Sequence, residues 1–330
     1  MTTVIRRPAA AVVVLAVAAL LLAACGSGPS QVNAALIVGN TTLSVDQVQQ
    51  EVNGLLASQT IAQQAQQQGK LDQVSRQVVT AHVLHVLAAA AATRYGLTIS
   101  DQQVDQLISQ SGGTAKVAAG LLVAPANVRD GVRDFLIEIS LARKYADTLN
   151  VKLGFVAAND RPTAVKDAQR LAADPGALKA MVAAATAASG GQGGGQAATQ
   201  LTASSYLQTI AQQQAQQQQG AQGSSENDSP VFGAPVNTVV AFQPNAQASR
   251  GWIVAIILAS DLGAGGSSSA AASDPTTLRA LGVSLLEQEA TDIGVRISPR
   301  YGTWNLADMS VAASNDQTAA VEYPVAHAKP

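Results

Sequence analysis

The sequence predicts an α+β, mostly helical fold. Three observations carry that reading. Two Ser-x-x-Gln capping boxes head runs of helical periodicity before residue 150. Strand-like runs, Val151–Val156 and Trp252–Leu258, appear chiefly after it. The bias toward Ala, Gln and Gly favours helices joined by loose segments, and resembles the protein composition of high-GC actinobacteria.

The chain opens with Arg6 and Arg7, and Ala9 to Ala24 is an unbroken run of Ala, Val and Leu that ends at Cys25. A basic start followed by a short apolar stretch reads as a secretory signal, residues 1–24. The run falls short of the roughly 20 apolar residues that span a bilayer as a helix. Leu22-Ala-Ala-Cys25-Gly26 resembles the lipobox of bacterial lipoproteins, which implies cleavage before Cys25 and lipidation of its thiol. Cys25 is the one cysteine, so internal disulfides are excluded. Gly26–Gln31 are small and polar, as a tether should be, and the tether is read as residues 25–33.

Ala34–Leu43, broken by Gly39-Asn40, reads as a strand and tight turn. Ser44 caps a helix carrying Val45, Val48, Val52 and Leu55, followed by a polar Gln-rich stretch to Gly69. A longer helix is expected from Leu71 to Arg94, closed by a left-handed Gly96. Ser100 starts a third helix, a short piece spans Val117–Val123, and Pro125 opens a fourth helix to about Leu149. Residues 34–150 thus form a helical domain.

At Val151 the pattern changes to a strand, then a helix after Asp160 and another around Leu178–Ala187. The Gly/Gln-rich stretch, about 189–228, is expected to be a disordered insertion in the segment 151–262. Pro230–Phe242 and Trp252–Leu258 restore order, the latter as the best strand in the chain. Residues 263–274 form a Gly/Ser/Ala linker. Residues 275–305 supply one last helix, Pro275–Ile293, and a terminal strand Val295–Trp304 in which Pro299 argues for an edge. Residues 306–330 are expected to be a flexible tail.

Ala35-Leu-Ile-Val-Gly-Asn-Thr-Thr-Leu-Ser-Val-Asp-Gln-Val48 resembles the opening strand, turn and helix of SurA/PrsA-type extracytoplasmic chaperones. Ile297-Ser-Pro-Arg-Tyr-Gly-Thr-Trp304 resembles the closing strand of the family's actinobacterial lipoproteins, and Asn127–Leu136 the helix that precedes its isomerase domain. The resemblance implies a SurA-like helical body, residues 34–150, completed by 275–305, with a parvulin-like prolyl isomerase segment strung between. Parvulin chemistry is associated with histidines in the core strands. The histidines here are His82, His85 and His327, all outside 151–261. Phe155 stands where a family strand would carry histidine, and Trp252-Ile253 where a Tyr-His pair would be expected, which implies a degenerate segment without isomerase chemistry.

Other constellations have plainer readings. His82 and His85 sit one helical turn apart, but with no third ligand nearby in sequence they read as ordinary packing or surface residues rather than a metal site. Gly190–Gly195 lacks the Lys-Ser/Thr of a phosphate loop, and Ser267–Ser269 lie in a linker rather than a nucleophile elbow. Glu287/Glu289 and Asp130/Asp134 are expected on solvated helix faces. Trp252, Tyr301 and Trp304 offer an aromatic shelf, with core packing the plainer reading.

Net charge is −2, with 13% charged residues and no basic cluster beyond the signal, so nucleic acid is not an expected partner. The sequence leads to a membrane-anchored, ATP-independent chaperone-like lipoprotein, extracytoplasmic, that binds unfolded exported polypeptides without a cofactor, catalytic residue or metal. An active prolyl isomerase and a noncatalytic cell-envelope scaffold are the alternatives.

Overall fold

The computed structural model describes residues 33–190, 193–218, 230–244, 251–266, 274–316 and 318–326. Cys25, His327, the tract 219–229 and the linker serines 267–269 lie outside these described residues.

The fold is α+β and mostly helical. Strands β1 (Ala34–Val38) and β2 (Thr41–Ser44) form a hairpin that runs into α1 (Val45–Ser58). The capping box is made: Ser44 Oγ accepts from the Gln47 amide and the Gln47 side chain accepts from the Ser44 amide. Then follow α2 (Thr60–Gln67), α3 (Leu71–Tyr95), α4 (Asp101–Gln110), α5 (Thr114–Leu121) and, after a single 3-10 turn at Pro125–Asn127, α6 (Val128–Tyr145). Ser100 and Gln103 repeat the box on α4, and Gly96 ends α3 at φ +64°. Helix α3 is long and apolar enough to cross a membrane, yet Val79, Val83, Leu87, Ala88 and Ala91 are fully buried, the pattern of a core helix.

After α6 the chain builds a five-stranded antiparallel sheet from β3 (Asn150–Ala158), β4 (Gly195–Thr202), β5 (Thr238–Phe242), β6 (Trp252–Asp261) and β10 (Val321–Pro324), in the order β10-β5-β6-β3-β4. Helices α7 (Arg161–Ala173) and α8 (Leu178–Ala188) cover one face. Helices α9 (Ala203–Gln218), α10 (Pro230–Gly233) and α11 (Pro275–Leu285) pack toward the other. Helix α12 (Glu287–Ile293) then leads to β7 (Val295–Ile297), which pairs antiparallel with β1 at Leu36 and Ile297, and to the hairpin β8 (Thr303–Asn305) and β9 (Ser310–Ala312). First and last segments are thereby joined in one three-stranded sheet, β2-β1-β7.

Helix α11 closes onto α6 across a near-contact of backbones. A Cβ on Gly282 would lie 1.9 Å from the Glu138 carbonyl oxygen, so only glycine permits this approach. Beside it the Glu138 carboxylate accepts from Arg279 Nε at 2.7 Å.

Four expectations are corrected. Residues 195–218, placed in a disordered insertion, form β4 and α9, and β4 pairs with β3 from Asn150↔Thr202 to Val156↔Gly195. A ladder is built from backbone groups, so a Gln/Thr-rich composition does not forbid it. The expected flexible tail supplies β9 and β10, and β10 pairs with β5 from Val321↔Ala241 to Pro324↔Thr238. The single last helix is two, α11 and α12, interrupted at Leu286. The single terminal strand is likewise two, because the Tyr301 amide bonds the Ser298 carbonyl in a turn containing Pro299. Strand β7 does lie at a sheet edge.

Candidate functional site: an apolar trough on the sheet

Alternation along β3 divides its side chains between two environments. Val156 and Ala158 point into the core under α7 and α8, with Val239, Ala241, Trp252, Val254 and Ile256 from the neighbouring strands. Leu153 and Phe155 join the opposite face. There Ala203, Tyr206, Leu207 and Ile210 of α9 pack with Val151, Leu153, Ala255 and Ile257 in the main core, whereas Phe155, Ile253 and Leu201 remain only half-buried.

These half-buried residues line a trough of about 250 Å³, with Phe242, Val231 and Ala255 completing the apolar wall and Gln196, Thr199 and Gln200 of β4 forming a polar margin. None of its lining residues titrates near neutral pH. The volume lies below the roughly 300–1,000 Å³ of small-molecule sites. It suits an apolar side chain or two from an extended chain, each worth about 1.5–3 kcal/mol on full burial. Such a seat can enclose an apolar side chain.

Phe155 and Ile253 are the two positions at which the family resemblance would place histidine, and both line this trough. Phe155 lies opposite Ala255, and Ile253 opposite Phe242. The sequence marked both positions but not the rest of the lining. Leu201 and Gln196 were missed because β4 carries no clear strand periodicity, and Val231 because its four-residue helix is too short to show any.

His82 and His85 lie on α3 beside a smaller cavity of about 200 Å³ floored by Leu55, Val78 and Val123. They do not converge on each other. His82 Nε2 meets Glu51 of α1 at 2.8 Å, and His85 Nδ1 meets Asp134 of α6 at 2.8 Å, so each imidazole braces a different helix. The Asp134 bond, outweighing burial, holds the His85 pKa above its ordinary value. Among the described residues no group of three His, Cys, Asp or Glu has an arrangement able to hold a metal ion.

Three of the four paired acids, all but Asp130, behave otherwise than expected. Glu287 and Glu289 are buried, at 0% and 4% exposure, rather than solvated. Glu289 pairs with Arg94 at 3.1 Å. Asp130 is exposed and pairs with Arg133 at 3.3 Å, but Asp134 is largely enclosed against His85. Glu138, not singled out by sequence, is 1% exposed, and burial pushes its pKa to about 7 despite Arg279. Its position was a signal, since it shares the helical stripe of Leu141, Ala142 and Tyr145. The aromatics form no shelf: Trp252 belongs to the core under α7, with the Arg161 guanidinium 5.9 Å from its ring, whereas Tyr301 and Trp304 pack in the main core.

Comparison with known proteins bears on the N-terminal part. Residues 4–118 match the SurA-like N-terminal domain family. The match ends within α5, so α6, the five-stranded sheet and the returning segment lie beyond it. The crystal structure of the foldase protein PrsA from Lactococcus lactis overlaps 81% of this chain and 95% of its own at 10% identity and a TM-score of 0.27, too low to inform on shared architecture. The comparison with curated proteins gave no match.

Proposed function

We propose that this protein is a membrane-anchored, ATP-independent chaperone-like lipoprotein that binds unfolded exported polypeptides and lacks isomerase activity. The observation that carries the reading is the trough: an apolar seat free of titratable groups, on the exposed end of a sheet, in a chain whose N-terminal part is SurA-like. Supporting it, the positions at which the family resemblance places catalytic histidines are Phe155 and Ile253, and no histidine occurs from 151 to 261. In this reading the N-terminal helices and the C-terminal return make one body, which carries the sheet as a client-facing unit. Lipid on Cys25 tethers both outside the membrane, and a second contact or acyl chain firms the anchorage.

One seat of this size contributes only a few kcal/mol, which alone corresponds to binding weaker than about 1 mM. Capture therefore depends on several weak contacts along an extended client, and release needs no nucleotide. The test is light scattering from a diluted unfolded client in the presence of the purified mature protein, run beside a proline-peptide isomerisation assay. Slowed aggregation with isomerisation at the uncatalysed rate is expected. Unchanged aggregation contradicts the chaperone reading, and catalysed isomerisation contradicts the noncatalytic one.

A further inference from the structure

Strand β4 closes the order β10-β5-β6-β3-β4, so β3 is its one partner and its far side is a free edge among the described residues. Natural edge strands are blunted by shortness, charge, proline or a bulge, because their unpaired N–H and C=O groups invite a further chain. The other edges here follow that rule. Strands β2, β7, β8, β9 and β10 are three or four residues long, β7 carries Arg296, and β10 carries Glu322 and ends in Pro324. Strand β4 is eight residues long, Gly195-Gln-Ala-Ala-Thr-Gln-Leu-Thr202, with no charge and no proline. A shift of register opposite Gly154 separates its two ends and leaves Thr199–Thr202 paired regularly with β3.

Which backbone groups of β4 are free follows from the ladder. The Ala203 amide donates to the Leu149 carbonyl at 3.1 Å, so Leu149 and Ala203 stand as a bonded pair. Residues of an antiparallel pair turn their groups to the partner at every second position. Leu201 and Thr199 therefore bond Val151 and Leu153, whereas Gln200 and Ala198, both exposed, turn their N–H and C=O groups outward. Thr199 and Leu201 also line the trough, and Leu201 packs against the main core. The open edge and the apolar seat are thus adjacent, and neither β4 nor the trough lining carries a charge.

We propose that a client is taken up by strand addition: an extended segment pairs with the free edge of β4 as a sixth strand, and its alternate side chains lie beside Thr199 and Leu201 at the trough margin. This rests on the chaperone reading and adds to it the mode of recognition. At the usual strand spacing of roughly 4.8 Å, an added strand reaches the outward groups of Ala198 and Gln200, and its side chains on the trough face meet those of Thr199 and Leu201. An unfolded polypeptide meets both requirements, with unspent backbone groups and apolar side chains. Backbone bonding is indifferent to sequence, which suits many clients, and the trough margin favours an apolar residue at every second position. A second copy of this chain is the competing occupant, but its Thr199 and Leu201 already belong to the wall of its own trough.

The probe is a fluorescein-labelled peptide alternating leucine and threonine, titrated with the full mature chain by anisotropy beside two analogues N-methylated on one or the other set of alternate amides. One set faces β4 and the other faces away, so one analogue is expected to bind about tenfold more weakly than the parent and the other as well as the parent. Equal affinities of the two analogues overturn strand addition, as does absence of binding by the parent. Gln200→Pro removes an outward amide where β4 owes β3 no bond, a position at which an edge strand tolerates proline. It is expected to weaken the parent peptide about tenfold with Tm little changed, and unchanged affinity contradicts the proposal. Should that variant misfold, the methylated peptides decide alone, since they leave the protein unaltered. Sedimentation of the mature chain tests the second copy: a dimer that Gln200→Pro dissociates, with peptide binding intact, assigns the edge to that copy and overturns the proposal. Equal analogue affinities alongside slowed client aggregation leave the chaperone reading standing without the edge, whereas unslowed aggregation removes that reading and the proposal with it.

Discussion

The two faces of the five-stranded sheet are covered to different degrees. On the α7/α8 side Ala164, Ala168 and Leu171 are fully buried against Val239, Ala241, Val254 and Ile256, none more than 2% exposed. Small alanines let α7 lie close, and the strand residues beneath it are sealed. On the other side α9 covers one end, while Phe155, Ile253 and Leu201 stay half-buried at the other. Incomplete cover leaves the second face with apolar surface still to bury, and a client segment can supply the cover.

The sharpest way to separate the faces is to damage the sealed one. Leu171→Ala removes a fully buried side chain and is expected to cost about 2–5 kcal/mol. Urea denaturation measures the loss, and below the transition the surviving folded protein should bind clients as before. Loss of client binding in the folded fraction would mean that the two faces are coupled.

The cover of the second face depends in turn on α11, which is locked to α6 through Gly282 and the Glu138–Arg279 pair. Burial raises the Glu138 pKa in the fold above its ordinary value of 4.5, to about 7. A group with a raised folded pKa contributes stability that is complete below the unfolded value and is lost as pH rises through the folded one. Stability should therefore fall by on the order of 3 kcal/mol from this group between pH 4.5 and above 7. Glu138→Gln should flatten that part of the profile; because the Arg279 side chain is 40% exposed, its solvation makes the loss of partner cheap. An unchanged profile in Glu138→Gln would contradict the assignment of this slope to Glu138.

The smallest effect on stability belongs to the open face. Ile253→Ser should cost roughly 1 kcal/mol, since the residue is already part-exposed, yet weaken client binding about tenfold by removing an apolar wall. Equilibrium unfolding together with fluorescence anisotropy of a labelled apolar peptide reads both quantities. A large stability loss without a binding defect would make the open face an ordinary core edge.

Much of this contrast was hidden from sequence, for definable reasons. The N-terminal helices were legible because their signals are local: Ser44 with Gln47, Ser100 with Gln103, and Gly96 after Tyr95 each decide a helix end by themselves. Strands β3 and β6 were legible from apolar runs. Strand β4 was not, because Gly195–Thr202 owes its order to a backbone ladder with β3. The same holds for Val321–Pro324, which gains a place only once β5 is beside it. Charge misled at Glu289, which is buried against Arg94, 195 residues earlier in the chain, and so escapes the rule that carboxylates face water. The trough was half-legible, through Phe155 and Ile253 but not through Leu201, Phe242 and Val231, which other elements bring to it. Cys25 is legible from sequence alone and lies outside the described residues.

The central claim, that the open face receives unfolded chains, is tested most directly by a photo-crosslinking phenylalanine analogue placed at Phe155 and, separately, at Lys179, an exposed residue of the helix sealing the opposite face. With an unfolded exported protein present, crosslinking should be strong at 155 and near background at 179. Equal yields at the two positions, or none at 155, would contradict the account.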